Sequence, residues 1–125
     1  MTLRQARCAF TIAIARLILF AESEGYEIAL AEGMDRITEK DPTSDHMKGS
    51  NHDIGLANDM DLYLKGVYLT QSEDHIVLGT WWEEYGQANG LPLVWGGNFA
   101  PKLINGKMVD QSDGNHYSMR WKGRA

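Results

Sequence analysis

Across residues 58–70, Met60, Leu62 and Leu64 alternate with Asp59, Asp61 and Tyr63, and Lys65-Gly66 breaks the pattern before Val67-Tyr68-Leu69. A period of two marks a strand with one face in a core, and Lys65-Gly66 supplies a turn, so the stretch predicts a β-hairpin. The alternation sets Asp59 on the face opposite Met60 and Leu62. Its carboxylate can then look into a polar cleft while the other face packs on helix, with Asp61 as a candidate acceptor behind it.

Two helices are expected to cover the apolar face. Leu3, Ala6, Phe10, Ile14, Leu17 and Ile18 recur at steps of three and four over residues 2–23, and Gly25 is a plausible stop. Ser72, read as an N-cap ahead of Glu73 and Asp74, predicts a second helix to about residue 89, closed by Gly90 and carrying Ile76, Leu78, Trp82 and Tyr85. Residues 26–31 and 116–121 read as strands, and 102–109 as a weak hairpin around Asn105-Gly106. The predicted class is α+β: a small antiparallel sheet carrying the site, packed against two main helices.

A chain of 125 residues is expected to form one domain, 1–125, with enough apolar surface to fold without cross-links. The single cysteine, Cys8, excludes an internal disulfide framework and reads as a buried small hydrophobe. A net charge of −5 argues against a general nucleic-acid binder. Arg120, Lys122 and Arg124 gather with Trp121 at the end, which suits a solvated charged tail or contact with anionic polymer or headgroups. Arg4 and Arg7 precede an apolar run, as in a secretory signal, but Arg16 interrupts it, and the run falls short of the roughly 18 apolar residues of a membrane span. No stable membrane insertion is expected.

The segment Ser50-Asn51-His52-Asp53-Ile54-Gly55-Leu56-Ala57-Asn58-Asp59 and the distant Asp113-Gly114-Asn115-His116 supply three metal-ligand side chains and a spare carboxylate. His52, Asp59 and His116 suit Zn²⁺, filling three tetrahedral positions and leaving the fourth for water, as in catalytic zinc sites. Other first-row divalent ions accept the same ligands. A His and an Asp at this spacing also occur as a hydrogen-bonded pair; Gly55 and Ala57 between them add weight, because they let backbone approach a metal closely. Ser50 is placed to bond near a substrate or to hold the His52 loop. Asp113 and His116 would fall on opposite faces of a regular strand, unless Gly114-Asn115 turns the chain there. The competing reading makes Asp113 an Asx-turn residue. His46 reads as a loop residue, His75 as a surface residue of a helix's first turn, and Trp81 and Trp82 as core.

The pattern S-x-H-x-x-G-x-A-x-D, closed by D-x-x-H, resembles the zinc peptidases of the D-alanyl-D-alanine metallopeptidase family, which includes vancomycin-resistance dipeptidases, D,D-carboxypeptidases and phage L-alanyl-D-glutamate endolysins. The likeness runs over residues 32–117 and includes Trp95-Gly96-Gly97, similar to the family's W-G-G element. The resemblance implies one zinc per chain on His52, Asp59 and His116, with Asp113 as general base. It offers Arg36 as the arginine that binds the substrate's carbonyl or carboxylate, although an ion pair with Asp35 or Glu39 accounts for that residue equally. Ser50 and Trp95 are the candidate substrate contacts, with core packing as the other reading of Trp95.

Within this family the short chain and the lack of a signal or anchor favour a phage-type endolysin. Such an enzyme would act as a monomer on the peptidoglycan stem peptide, cleave its L-alanyl-D-glutamate bond, and wait in the host cytoplasm for holin pores. A D-alanyl-D-alanine dipeptidase or carboxypeptidase, with a closed pocket for a terminal carboxylate, is the nearest alternative. The other is a zinc-bound cell-wall recognition module without catalysis, against which Asp113 counts, since binding needs no base.

Overall fold

The computed structural model of the protein describes residues 1–31 and 50–125; Arg36 and His46 lie outside the described residues. Helix α1, Leu3–Ser23, begins at a reciprocal cap in which the Thr2 hydroxyl accepts from the Gln5 amide at 3.1 Å and the Gln5 side chain accepts from the Thr2 amide at 2.8 Å. Its buried face is Ala6, Phe10, Ala13, Ile14, Leu17 and Ala21, the three-and-four spacing of a core stripe. Cys8, expected inside, is exposed. It stands two residues from Ala6, about 200° around the helix, so its position on the wheel overrides its apolar character.

Strands β1, Tyr26–Leu30, and β2, Ala57–Leu64, pair antiparallel, and β2 turns through Lys65 (φ 50) and Gly66 (φ 78) into β3, Val67–Leu69. Two successive positive φ values make the twisted two-residue turn that suits a hairpin, as the sequence predicts. Strands β4, Leu93–Trp95, and β7, His116–Met119, complete a sheet ordered β1-β2-β7-β4, with β3 beside β2. Between them β5, Lys102–Ile104, and β6, Lys107–Val109, form the separate predicted hairpin. Residues 57–59 of β2 pair with β7, and residues 60–64 pair with β1.

Helix α2, Ile76–Asn89, is entered through a 3-10 turn, Ser72–His75, and ends at left-handed Gly90 (φ 66). Ser72 is not its N-cap. The Asp74 carboxylate accepts the Gln71 amide at 2.9 Å, which satisfies the start of the turn and leaves the Ser72 hydroxyl for another partner. Both helices cover the sheet face bearing Met60, Leu62, Tyr117 and Met119, so the molecule has the α+β architecture that the sequence patterns predict.

Trp82 is wholly buried at the centre of this core. It meets Phe10 edge-on at 5.7 Å and Tyr117 at 5.9 Å, and its indole N–H donates to the carbonyls of Val94 and Ser118. Trp81 stacks between Phe20 of α1 and Tyr85 of α2, at 5.2 and 5.1 Å, and is only partly buried. No helix among the described residues is long and apolar enough to cross a membrane.

Candidate metal centre

The sheet register places Asp59 of β2 directly opposite His116 of β7. Alternation then turns both side chains to the face away from the helices, opposite Met60 and Tyr117. His52 reaches the same point from the turn preceding β2, where its amide donates to the Ser50 hydroxyl at 3.2 Å. Ser50 therefore holds the His52 loop.

Asn51 anchors that loop more firmly. It is 1% exposed, and its side-chain amide donates to the carbonyls of Met119 at 2.7 Å and Arg124 at 2.9 Å, tying the loop to β7 and to the C-terminal tail. Gly55 has a φ of +76°, and a Cβ there would lie 2.7 Å from Arg7 Nε, so its role is the turn and the seat of Arg7. The basic tail folds back on itself through paired Trp121 and Arg124.

His52 Nε2 lies 3.2 Å from His116 Nδ1, and each nitrogen lies 3.4 Å from Asp59 Oδ1. Atoms about 2.0–2.1 Å from a tetrahedral zinc are separated from one another by about 3.3–3.4 Å. The three donor atoms thus form a triangle of the size such an ion requires, and His52, Asp59 and His116 can together hold a metal ion. Burial alone would raise the Asp59 pKa, but hydrogen bonds and charge from His116 and His52 outweigh it and hold the carboxyl well below the usual range. Asp59 is accordingly anionic at neutral pH. His116 turns its Nε2 into a buried position near Phe99, without a hydrogen-bond partner among the described residues.

Asp113 stands outside the triangle. Its Oδ2 is 4.0 Å from His116 Nδ1 and its side chain is 51% exposed, at the rim of the centre. Burial, and next the negative charge of Asp59, push its carboxyl pKa up, partly offset by His116 and His52. The turn at Gly114-Asn115 closes as expected, with the His116 amide donating to the Asp113 carbonyl at 3.0 Å. Among the described residues the Asx-type bond in this loop belongs to Asp110, which takes the Ser112 amide at 2.8 Å.

Three ties fix this loop. The Asp113 amide donates to the Gly96 carbonyl at 2.9 Å, the Gly114 amide donates to Ser72 Oγ at 3.0 Å, and the Trp95 indole donates to the Gly114 carbonyl at 2.7 Å. Trp95, expected along a cleft wall, is 7% exposed and belongs to the core beneath the loop. Its ring fits there because α2 carries Gly79 at the contact, where a Cβ would come within 2.1 Å of it. His75, expected on the surface, is 3% exposed and bonds the Tyr117 hydroxyl at 2.8 Å, because the 3-10 turn rolls it inward.

Ser72, Asn51 and His75 were hidden in the sequence for one reason: their partners are 42 or more residues away. Gly96 makes a close approach to the backbone of this loop. A Cβ there would sit 2.2 Å from the Asp113 carbonyl oxygen and 2.8 Å from His116 Cβ. Gly96→Ala is expected to cost about 1–3 kcal/mol of stability, the usual cost of overpacking, and to weaken metal binding by displacing His116. Thermal melting with a metal titration checks this; wild-type values in both would show that the loop absorbs a methyl group without moving.

No family model, no curated protein and no solved structure matches the chain.

Proposed function

We propose that the protein is a zinc-dependent peptidoglycan peptidase that hydrolyses the L-alanyl-D-glutamate bond of the stem peptide. The observation that carries this reading is a carboxylate, Asp113, held beside but outside a ligand triangle of zinc dimensions. A structural zinc site is closed by four protein ligands, whereas three ligands and a nearby base are the parts of a hydrolase. The substrate class rests on the resemblance of S-x-H-x-x-G-x-A-x-D and D-x-x-H to the cell-wall peptidases.

Zinc on His52, Asp59 and His116 would supply Lewis acidity toward water and a carbonyl oxygen. Asp113 takes the proton of the attacking water as its oxygen adds to the carbonyl carbon, and then passes that proton to the amine nitrogen as the C–N bond breaks. Ser72, Trp95 and Gly96 limit its travel through the loop ties. Arg36, outside the described residues, is the cation that the resemblance offers for the substrate's carbonyl or carboxylate. In this reading the enzyme lyses the wall after leaving the host cytoplasm.

Digestion of Gram-negative-type peptidoglycan by the zinc-loaded protein, followed by mass spectrometry, tests the proposal. Stem peptides beginning at D-glutamate, without new reducing sugars, are the expected products. D-Alanine or D-alanyl-D-alanine as the main product would assign a carboxypeptidase or dipeptidase. Wall binding with no released fragment would identify a recognition module, and new reducing ends would reject peptide hydrolysis altogether.

A further inference from the structure

A cavity of about 160 Å³ opens beside Asp113, with Thr70, Ser72, His75 and Asn115 also in its walls. His75 forms its most specific feature. Nδ1 of His75 is 2.8 Å from the hydroxyl of Tyr117, a side chain with no solvent exposure. The phenolic proton has no other acceptor among the described residues, and a buried hydroxyl left without one is strongly disfavoured. The phenol therefore donates and Nδ1 accepts.

A neutral imidazole that accepts at Nδ1 carries its proton on Nε2. Burial keeps His75 in that neutral form. Nε2 has no hydrogen-bond partner among the described residues, and the cavity is the space that His75 lines. The hydroxyl of Thr70 and the amide of Asn115 add polar character to the same walls.

The walls also select by charge and size. Among the described residues that line the cavity there is no Lys or Arg, and the Asp113 carboxylate disfavours an anion. A neutral acceptor fits. The volume is well under the roughly 300–1,000 Å³ of pockets that enclose whole small-molecule ligands, so the cavity takes one group of a larger molecule. We propose that it is a substrate subsite in which His75 Nε2–H donates to an amide carbonyl of the bound peptide other than the one being cleaved. This rests on the peptide-hydrolase reading for the identity of the ligand, and His75 is then a substrate-binding residue.

The first test uses zinc-loaded wild-type protein labelled with ¹⁵N. Long-range ¹H–¹⁵N spectra are expected to show His75 protonated at Nε2 and bare at Nδ1, and N-methylacetamide alone should shift the Hε2 resonance. The opposite tautomer, or a resonance that the amide does not move, overturns the subsite whether or not the protein hydrolyses peptides. A shift in a protein that hydrolyses nothing would sink the function proposed above and leave the amide site standing. In steady state on stem peptide, His75→Leu is expected to raise KM about tenfold, the loss of one hydrogen bond, with kcat within about twofold. His75→Gln, whose amide N–H extends to a similar depth, should restore most of the KM; equal KM values in wild type and His75→Leu would contradict the proposal.

Discussion

Replacing Asp113 by asparagine is expected to lower peptide hydrolysis by a factor of about 10²–10⁴, while zinc content and melting temperature stay at wild-type values. The carboxylate contributes no donor atom to the ligand triangle, and the loop is held by backbone ties at Asp113 and Gly114 that an amide side chain leaves intact. On the proposed mechanism, only proton transfer is removed. Turnover measured beside metal content separates the two effects, and near-normal turnover would move the base elsewhere. Glu83 would not inherit the role, since its two oxygens accept the Trp95 amide at 3.0 Å and the Asn98 side chain at 2.8 Å. Asp61, on the same strand face as Asp59, would be next.

The largest effect on stability is expected at Trp82. Trp82→Ala removes a fully buried ring that touches α1 through Phe10 and β7 through Tyr117, and it leaves the Val94 and Ser118 carbonyls without the indole donor. Large-to-small changes of this kind cost about 3–5 kcal/mol, a large share of the roughly 5–15 kcal/mol that holds a domain folded. Urea denaturation measures it. Because Tyr117 precedes Ser118 and follows His116 on β7, the variant should also bind metal more weakly; a loss under about 1 kcal/mol would show that neighbouring side chains refill the space.

The hairpin was legible because its alternation and its Lys65-Gly66 turn agree, and α1 because its apolar spacing and the Gly25 stop agree. The pairing of β2 with β7 was not. All four residues of β7 are buried, so burial does not distinguish its two faces, and its register with β2 is set by contacts across more than fifty residues of chain. The candidate ligands can be named from residue type and spacing, yet nothing in the sequence says that His52 turns Nε2 and His116 Nδ1 toward Asp59. The misplaced residues have two causes. Cys8 was assigned by its chemistry and not by its angle on the helix, while His75 and Ser72 were assigned to a regular helix start that a 3-10 turn replaces.

One property underlies every step of the proposed chemistry, the convergence of His52, Asp59 and His116 on a single ion. His52→Ala probes it with little risk to the fold, because the loop is anchored by Asn51 and not by His52. Elemental analysis of freshly purified protein is expected to give close to one zinc per chain for the wild type and close to none for His52→Ala. Full zinc retention in that variant, with the protein still folded, would contradict the site.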